Sequence, residues 1–139
     1  MTSPVFVDTS GLYAALDADD ANHPAAAVAF NRLLDRMASD PFAAVTHSGV
    51  ITEATALVQR RLGISAARSL LDDILPLIDT VWVDERLHSL AATALLAAGR
   101  REVSRVDWTS FVVMRERAIT TAFAFDVDFE AQGFTTTTI

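Results

Sequence analysis

The chain has 139 residues, with 18 acidic against 11 basic side chains and a formal net charge of −7. It contains no cysteine and no lysine, so each of the 11 basic residues is an arginine. Without cysteine there is no disulfide scaffold, thiol nucleophile or cysteine-based zinc site. Without lysine there is no P-loop, Schiff-base centre or receiver-type phosphoryl site. The acidic balance argues against a broadly basic surface for gripping nucleic acid.

One domain spanning 1–139 is the natural count at this length, and an apolar content of 51% is that of a globular chain. No apolar run reaches the ~18 residues a membrane span needs. Met1 leads almost directly into Val5-Phe6-Val7 with no charged leader, so a soluble cytoplasmic protein is expected.

In chain order, Val5–Val7 reads as a buried strand with Asp8-Thr9-Ser10 as its exit. Gly11–Leu16 is a short helix closed by the acidic turn Asp17–Asp20. Pro24 opens a helix to about Ala38, with Val28, Leu33 and Leu34 as core candidates. Phe42–Thr46 is a second strand. A helix over Ser48–Leu62 ends at Gly63, and another over Ser65–Ile74 takes Ser65 as its N-cap. Pro76 breaks that helix, and Ile78–Val83 is a third strand in which Trp82 is expected to pack. Asp84 caps a helix through Ala98 that stops at Gly99, and Val106–Arg117 is the next helix. Ile119–Phe125 is a fourth strand and Phe134–Ile139 a fifth. Strands separated by helices predict a parallel α/β sheet with helices on both faces, whose ligands bind beyond the carboxyl ends of the strands.

Acidic residues fall at those ends. Asp8 follows the first strand, where it is either a helix N-cap or part of a site. Asp126 and Asp128 follow the fourth strand, where the bland reading is a turn. Glu53 sits three residues after Val50 and four before Leu57, which places it on the inward stripe of its helix. Asp107 opens a helix, and Ser104-Arg105-Val106-Asp107 also fits a capping box. If the two strands are neighbours, these acids meet. Two unit charges at 4 Å cost roughly 4 kcal/mol at an effective dielectric of 20, so such a cluster requires protons or cations. An all-oxygen donor set suits Mg²⁺ or Mn²⁺, and the natural chemistry is metal-assisted phosphodiester hydrolysis.

The same residues resemble the motifs of PIN-domain proteins, specifically VapC-type toxin ribonucleases of bacterial toxin–antitoxin pairs. Val5-Phe6-Val7-Asp8-Thr9-Ser10 is similar to the opening strand and first acid. Thr46 to Leu57 resembles the segment carrying the second acid, Glu53. Ser104 to Phe111 resembles the third, and Ala124 to Phe129 followed by Gly133-Phe134 the fourth. The likeness spans essentially the whole chain in motif order.

It implies a PIN-like parallel sheet sandwiched by helices and a Mg²⁺-dependent endoribonuclease, with Mn²⁺ as a substitute. Asp8, Glu53, Asp107 and Asp126 would hold the metal, and Thr9 or Ser10 would orient Asp8. In-line hydrolysis would leave a 5′-phosphate and a 3′-hydroxyl. Asp128 stands where relatives often carry His or another polar residue, which places it around the metal rather than in its ligand set. A small antitoxin blocking the acidic pocket and a homodimer are the implied partners. The alternative is a catalytically inactive PIN-like module that binds RNA or protein.

Arg100, Arg101 and Arg105 precede Asp107 and are candidates for RNA phosphate contact, against a solvated loop pairing with Glu102. Tyr13 and Trp108 are read as packing residues before stacking platforms. His23, His47 and His88 share no ligand spacing, and His47 is expected to cap or hydrogen-bond. A haloacid-dehalogenase-like phosphatase also sets Asp after its first strand, but it wants a second Asp where Ser10 stands and a lysine this chain lacks.

Overall fold

The structure, a computed structural model, describes residues 3–136. Five strands form one sheet in the order β3-β2-β1-β4-β5, and every pairing is parallel. They are β1 (Val5–Val7), β2 (Ala44–His47), β3 (Asp79–Val81), β4 (Thr121–Phe123) and β5 (Thr135–Thr136). The first two crossovers step outward in one direction: β1 passes through α1 (Thr9–Leu16) and α2 (His23–Ser39) to β2. From β2 the chain passes through α3 (Ser48–Leu62) and α4 (Ile64–Ser69) to β3. It then returns to the far side of β1 through α5 (Glu85–Ala98) and α6 (Arg105–Glu116) to β4, and on through α7 (Val127–Ala131) to β5. Right-handed crossovers therefore set α1–α4 on one face and α5–α7 on the other. The reversal at β1 and β4 makes a switch point, and their carboxyl ends flank one crevice.

Packing follows the two faces. Phe123 stacks on Phe30 of α2 at 5.9 Å between ring centroids. On the other face Phe6 meets Phe129, and Phe111 of α6 meets Phe129 edge-on at 5.0 Å and Trp108 at 5.3 Å. Gly11 is required where α1 crosses β4, because a Cβ there would collide with the Phe123 carbonyl oxygen.

Several sequence expectations change. The inward stripe of α2 is Ala26, Ala29, Leu33 and Met37, which leaves Val28 47% exposed rather than in the core; Leu34 is partly buried. Gly63, not Ser65, caps α4. The helix expected through Ile74 becomes a π turn over Leu70–Ile74 and a 3₁₀ turn over Leu75–Leu77, where Pro76 withholds its N–H. β3 ends at Val81, so Trp82 does not pack and is 71% exposed. After β4, where the bland alternative for Asp126 and Asp128 is a turn, the chain forms the helix α7, too short to show helical periodicity in the sequence. Thr137–Ile139 of the expected fifth strand lie outside the described residues.

Candidate active site

Asp8 leaves β1 as the N-cap of α1 and is buried. Its Oδ2 accepts from the Ser10 hydroxyl at 2.6 Å and from the Ser10 N–H at 3.1 Å. The Ser10 hydroxyl oxygen in turn accepts the Phe125 N–H at 2.9 Å, and the Asp8 N–H donates to the Phe123 carbonyl at 3.1 Å. One serine thus ties the first acid to the exit of β4. Thr9, the other residue expected to orient Asp8, is buried with its hydroxyl unpartnered among the described residues.

Asp107 lies at the third position of α6 in a complete capping box. Ser104 Oγ accepts the Asp107 N–H, and Asp107 Oδ2 accepts the Ser104 N–H, both at 3.2 Å. Asp126 caps α7, its Oδ1 accepting the Asp128 N–H at 2.9 Å. Structural and functional readings of these acids therefore coexist. Each cap takes one carboxylate oxygen and leaves the second outside the capping contact.

The first turn of α7 folds Asp128 back over Asp126. Asp107, Asp126 and Asp128 each offer a carboxylate oxygen within 4.8 Å of the others. Asp128, placed by the sequence around a metal rather than on it, stands inside this group. Asp8 and Glu53 lie outside the group but act on it. Burial pushes the Asp8 carboxyl up from 3.8 to about 7, opposed by the Ser10 hydrogen bonds and reinforced by the charges of Asp107 and Glu53. Burial likewise raises Asp107 from 3.8 to about 6, with the Asp126 and Glu53 charges adding to it against the Ser104 bonds. Asp128 is raised by desolvation first and then by Asp126. Glu53 does not lie on the inward stripe as expected: Val50, Ala54 and Val58 are buried and Glu53 is exposed on the first turns of α3.

A cluster of carboxylates that resists ionisation is one a divalent cation would relieve, and its donors are all hard oxygens. The donor set fits Mg²⁺ or Mn²⁺ and leaves a Zn²⁺ site of His and Cys without ligands nearby.

His47 connects the two helices that carry Glu53 and Asp107. It is fully buried, and its Nδ1 accepts the Gly49 N–H at 3.0 Å, which assigns the proton to Nε2. Nε2 lies 2.9 Å from Ser110 Oγ and 3.3 Å from the Val106 carbonyl, both in α6. Burial lowers its pKa from 6.5 to about 4, so the ring is neutral at pH 7. Of the arginines, Arg100 pairs with Glu102 at 2.6 Å beside Asp128. Arg101 and Arg105 form no ion pair among the described residues, and Arg105 instead donates to His88 Nδ1 at 3.2 Å. Tyr13 is buried, donates to Asp17 Oδ2 at 2.6 Å and lies under the Arg61 guanidinium; Trp108 is buried in the core. No helix among the described residues is long and apolar enough to cross a membrane.

No protein-family model matches the chain. It is 39% identical over 134 residues to the 23S rRNA-specific endonuclease VapC20 of Mycobacterium tuberculosis, covering 94% of this chain and 95% of the relative. The crystal structure of that sarcin-ricin loop cleaving toxin superposes with a TM-score of 0.79 at 38% identity, covering 94% of this chain and 96% of the other. FitAcB from Neisseria gonorrhoeae shares the fold, with a TM-score of 0.65 at 15% identity and 95% of each chain covered.

Proposed function

The chain belongs to the VapC-type toxin ribonucleases of the PIN-domain family, and from that premise we propose that it cuts a loop of ribosomal RNA with the help of a divalent metal held by Asp8, Glu53, Asp107 and Asp126. The observation that carries the reading is the convergence of acids at the switch point, where burial first, and then the neighbouring carboxylate charges, raise Asp8 to about 7 and Asp107 to about 6. Asp128 joins the ligand set from α7.

A bound Mg²⁺ or Mn²⁺ would supply Lewis acidity toward the phosphoryl group and lower the pKa of water. The chain's residues do the positioning. Ser10 fixes the Asp8 carboxylate against the β4 exit, and Ser104 fixes Asp107 at the start of α6. His47 holds α3 and α6 together, which sets the span between Glu53 and Asp107. Arg101 and Arg105 are the local cations for RNA phosphates; Arg100 is neutralised by Glu102.

The relative's action on 23S rRNA makes the ribosomal loop the first substrate to test, and such a substrate puts the protein in the cytoplasm. A small antitoxin that covers the acidic crevice is the expected protein partner, and a homodimer the expected assembly. Ribosomal RNA incubated with the chain should be cleaved at one position with Mg²⁺ and remain intact with EDTA or with Asp8→Asn. Equal cleavage in all three would remove the mechanism.

A further inference from the structure

Beyond the carboxyl ends of β2 and β3 lies an open groove of about 490 Å³ whose lining holds none of the clustered acids. It is bounded by the first turns of three helices: Ser48 and Thr52 of α3, Glu85 and His88 of α5, and Arg105 and Thr109 of α6. Trp82 lines it and is 71% exposed, which leaves the indole accessible to solvent. None of the clustered acids lines the groove, but the helices that wall it, α3 and α6, also carry Glu53 and Asp107. Thr52 adjoins Glu53 in α3, and Arg105 lies two residues before Asp107 in α6.

Resting on the ribonuclease reading, we propose that this groove is a nucleotide subsite next to the scissile phosphate. An unpaired RNA base stacks on Trp82, and the adjoining phosphate is held by Arg105 and His88. Three properties favour that occupant. The volume suits one nucleotide rather than a peptide helix. An exposed indole is a stacking surface for any base. Arg105 has no carboxylate partner among the described residues, and because His88 Nδ1 accepts from it, the His88 proton sits on Nε2 as a second N–H donor near the guanidinium. The two acids in the lining are compatible with this. Asp84 is engaged as the α5 cap through the Leu87 N–H, and exposed Glu85 is placed to accept from a base amino group. Ser48 is likewise engaged, its hydroxyl accepting the Val83 N–H.

The test uses Asp8→Asn protein, so that RNA is bound and not cut. A fluorescently labelled single-stranded oligoribonucleotide of the loop sequence is titrated and read by polarisation, and tryptophan emission is followed with unlabelled RNA. Trp108 is buried, so quenching reports Trp82. Trp82→Ala should weaken binding at least about fivefold, and Trp82→Phe should restore most of it while abolishing the quench. Arg105→Ala should weaken binding and flatten the salt dependence by about one phosphate contact. Phe42→Ala, an exposed aromatic away from the groove, should bind normally. Wild-type cleavage of RNA with unchanged binding by Trp82→Ala and Arg105→Ala overturns the subsite and leaves the ribonuclease standing. Quenching and tight binding without any cleavage by the wild type supports the subsite and removes the ribonuclease reading. Neither binding nor cleavage overturns both.

Discussion

The Ser10 hydroxyl stands between Asp8 and the end of β4, donating to Asp8 Oδ2 at 2.6 Å while accepting the Phe125 N–H at 2.9 Å. The first acid is thereby oriented by the strand that delivers the fourth. Ser10→Ala removes both bonds and leaves a backbone donor without a partner, a loss of about 1–3 kcal/mol. The Ser10 bonds hold the Asp8 pKa down, so their loss raises it further. Mn²⁺ affinity at pH 6.5, measured by calorimetry, should fall, and the rising limb of the cleavage–pH profile should move to higher pH. An unmoved limb would show that Ser10 does not tune Asp8.

Asp8 titrates near 7 in the fold against 3.8 for an ordinary carboxyl. Between those values the folded chain binds more protons than the unfolded one, so the Asp8 contribution makes metal-free protein less stable as pH rises from about 4 to 7. Asp8→Asn removes that penalty. Urea unfolding at pH 8 in EDTA should show the variant more stable by on the order of 2–4 kcal/mol while cleavage is abolished. A variant less stable than wild type at pH 8 would refute the penalty.

His47 acts with the opposite sign. Its pKa is depressed from 6.5 to about 4, so its neutral form favours folding above 6.5 and that contribution is lost as pH falls toward 4. Asp8 and His47 therefore oppose one another over much of the acid range. Asp107, raised to about 6, opposes His47 in the same way, so in an Asp8→Asn/Asp107→Asn background the acid instability due to His47 should become visible in unfolding curves between pH 6.5 and 4. His47→Ala should cost about 2–4 kcal/mol at pH 7 by opening a void and orphaning the Gly49 N–H. Gly49→Ala should also destabilise, because its Cβ would stand 2.8 Å from the His47 ring.

Added Mg²⁺ or Mn²⁺ should raise the melting temperature of the wild type, since an ion that binds only the folded state stabilises it by mass action. Asp126→Asn and Asp128→Asn should each reduce the shift, with affinity lowered about tenfold or more. Equal shifts in Asp128→Asn and wild type would return Asp128 to a bystander.

The strands and the acids at their ends are legible because buried strands and their exits leave local marks, whereas the order that makes β1 and β4 neighbours is a non-local property seen only in the fold. Val5–Val7 is apolar throughout, and Asp8 follows it. Glu53 is not placed correctly by its spacing, because three and four residues from apolar neighbours does not fix the centre of a stripe. Val50, Ala54 and Val58 centre it, and Glu53 falls about 100° around the helix from there. The place of Asp128 within the cluster is not visible in the sequence because the turn that folds it onto Asp126 is a five-residue helix, below the length at which periodicity speaks. The exposure of Trp82 is not visible in the sequence because strand alternation says nothing about where pairing stops.

Gly11 makes no contact with the acids through a side chain, yet it seats α1 on the Phe123 carbonyl beneath them. In a genetic screen for loss of growth arrest, substitutions there should be recovered alongside those at Asp8 and Asp126. A map of inactivating mutations would then mark as catalytic a residue whose whole contribution is the space it leaves empty.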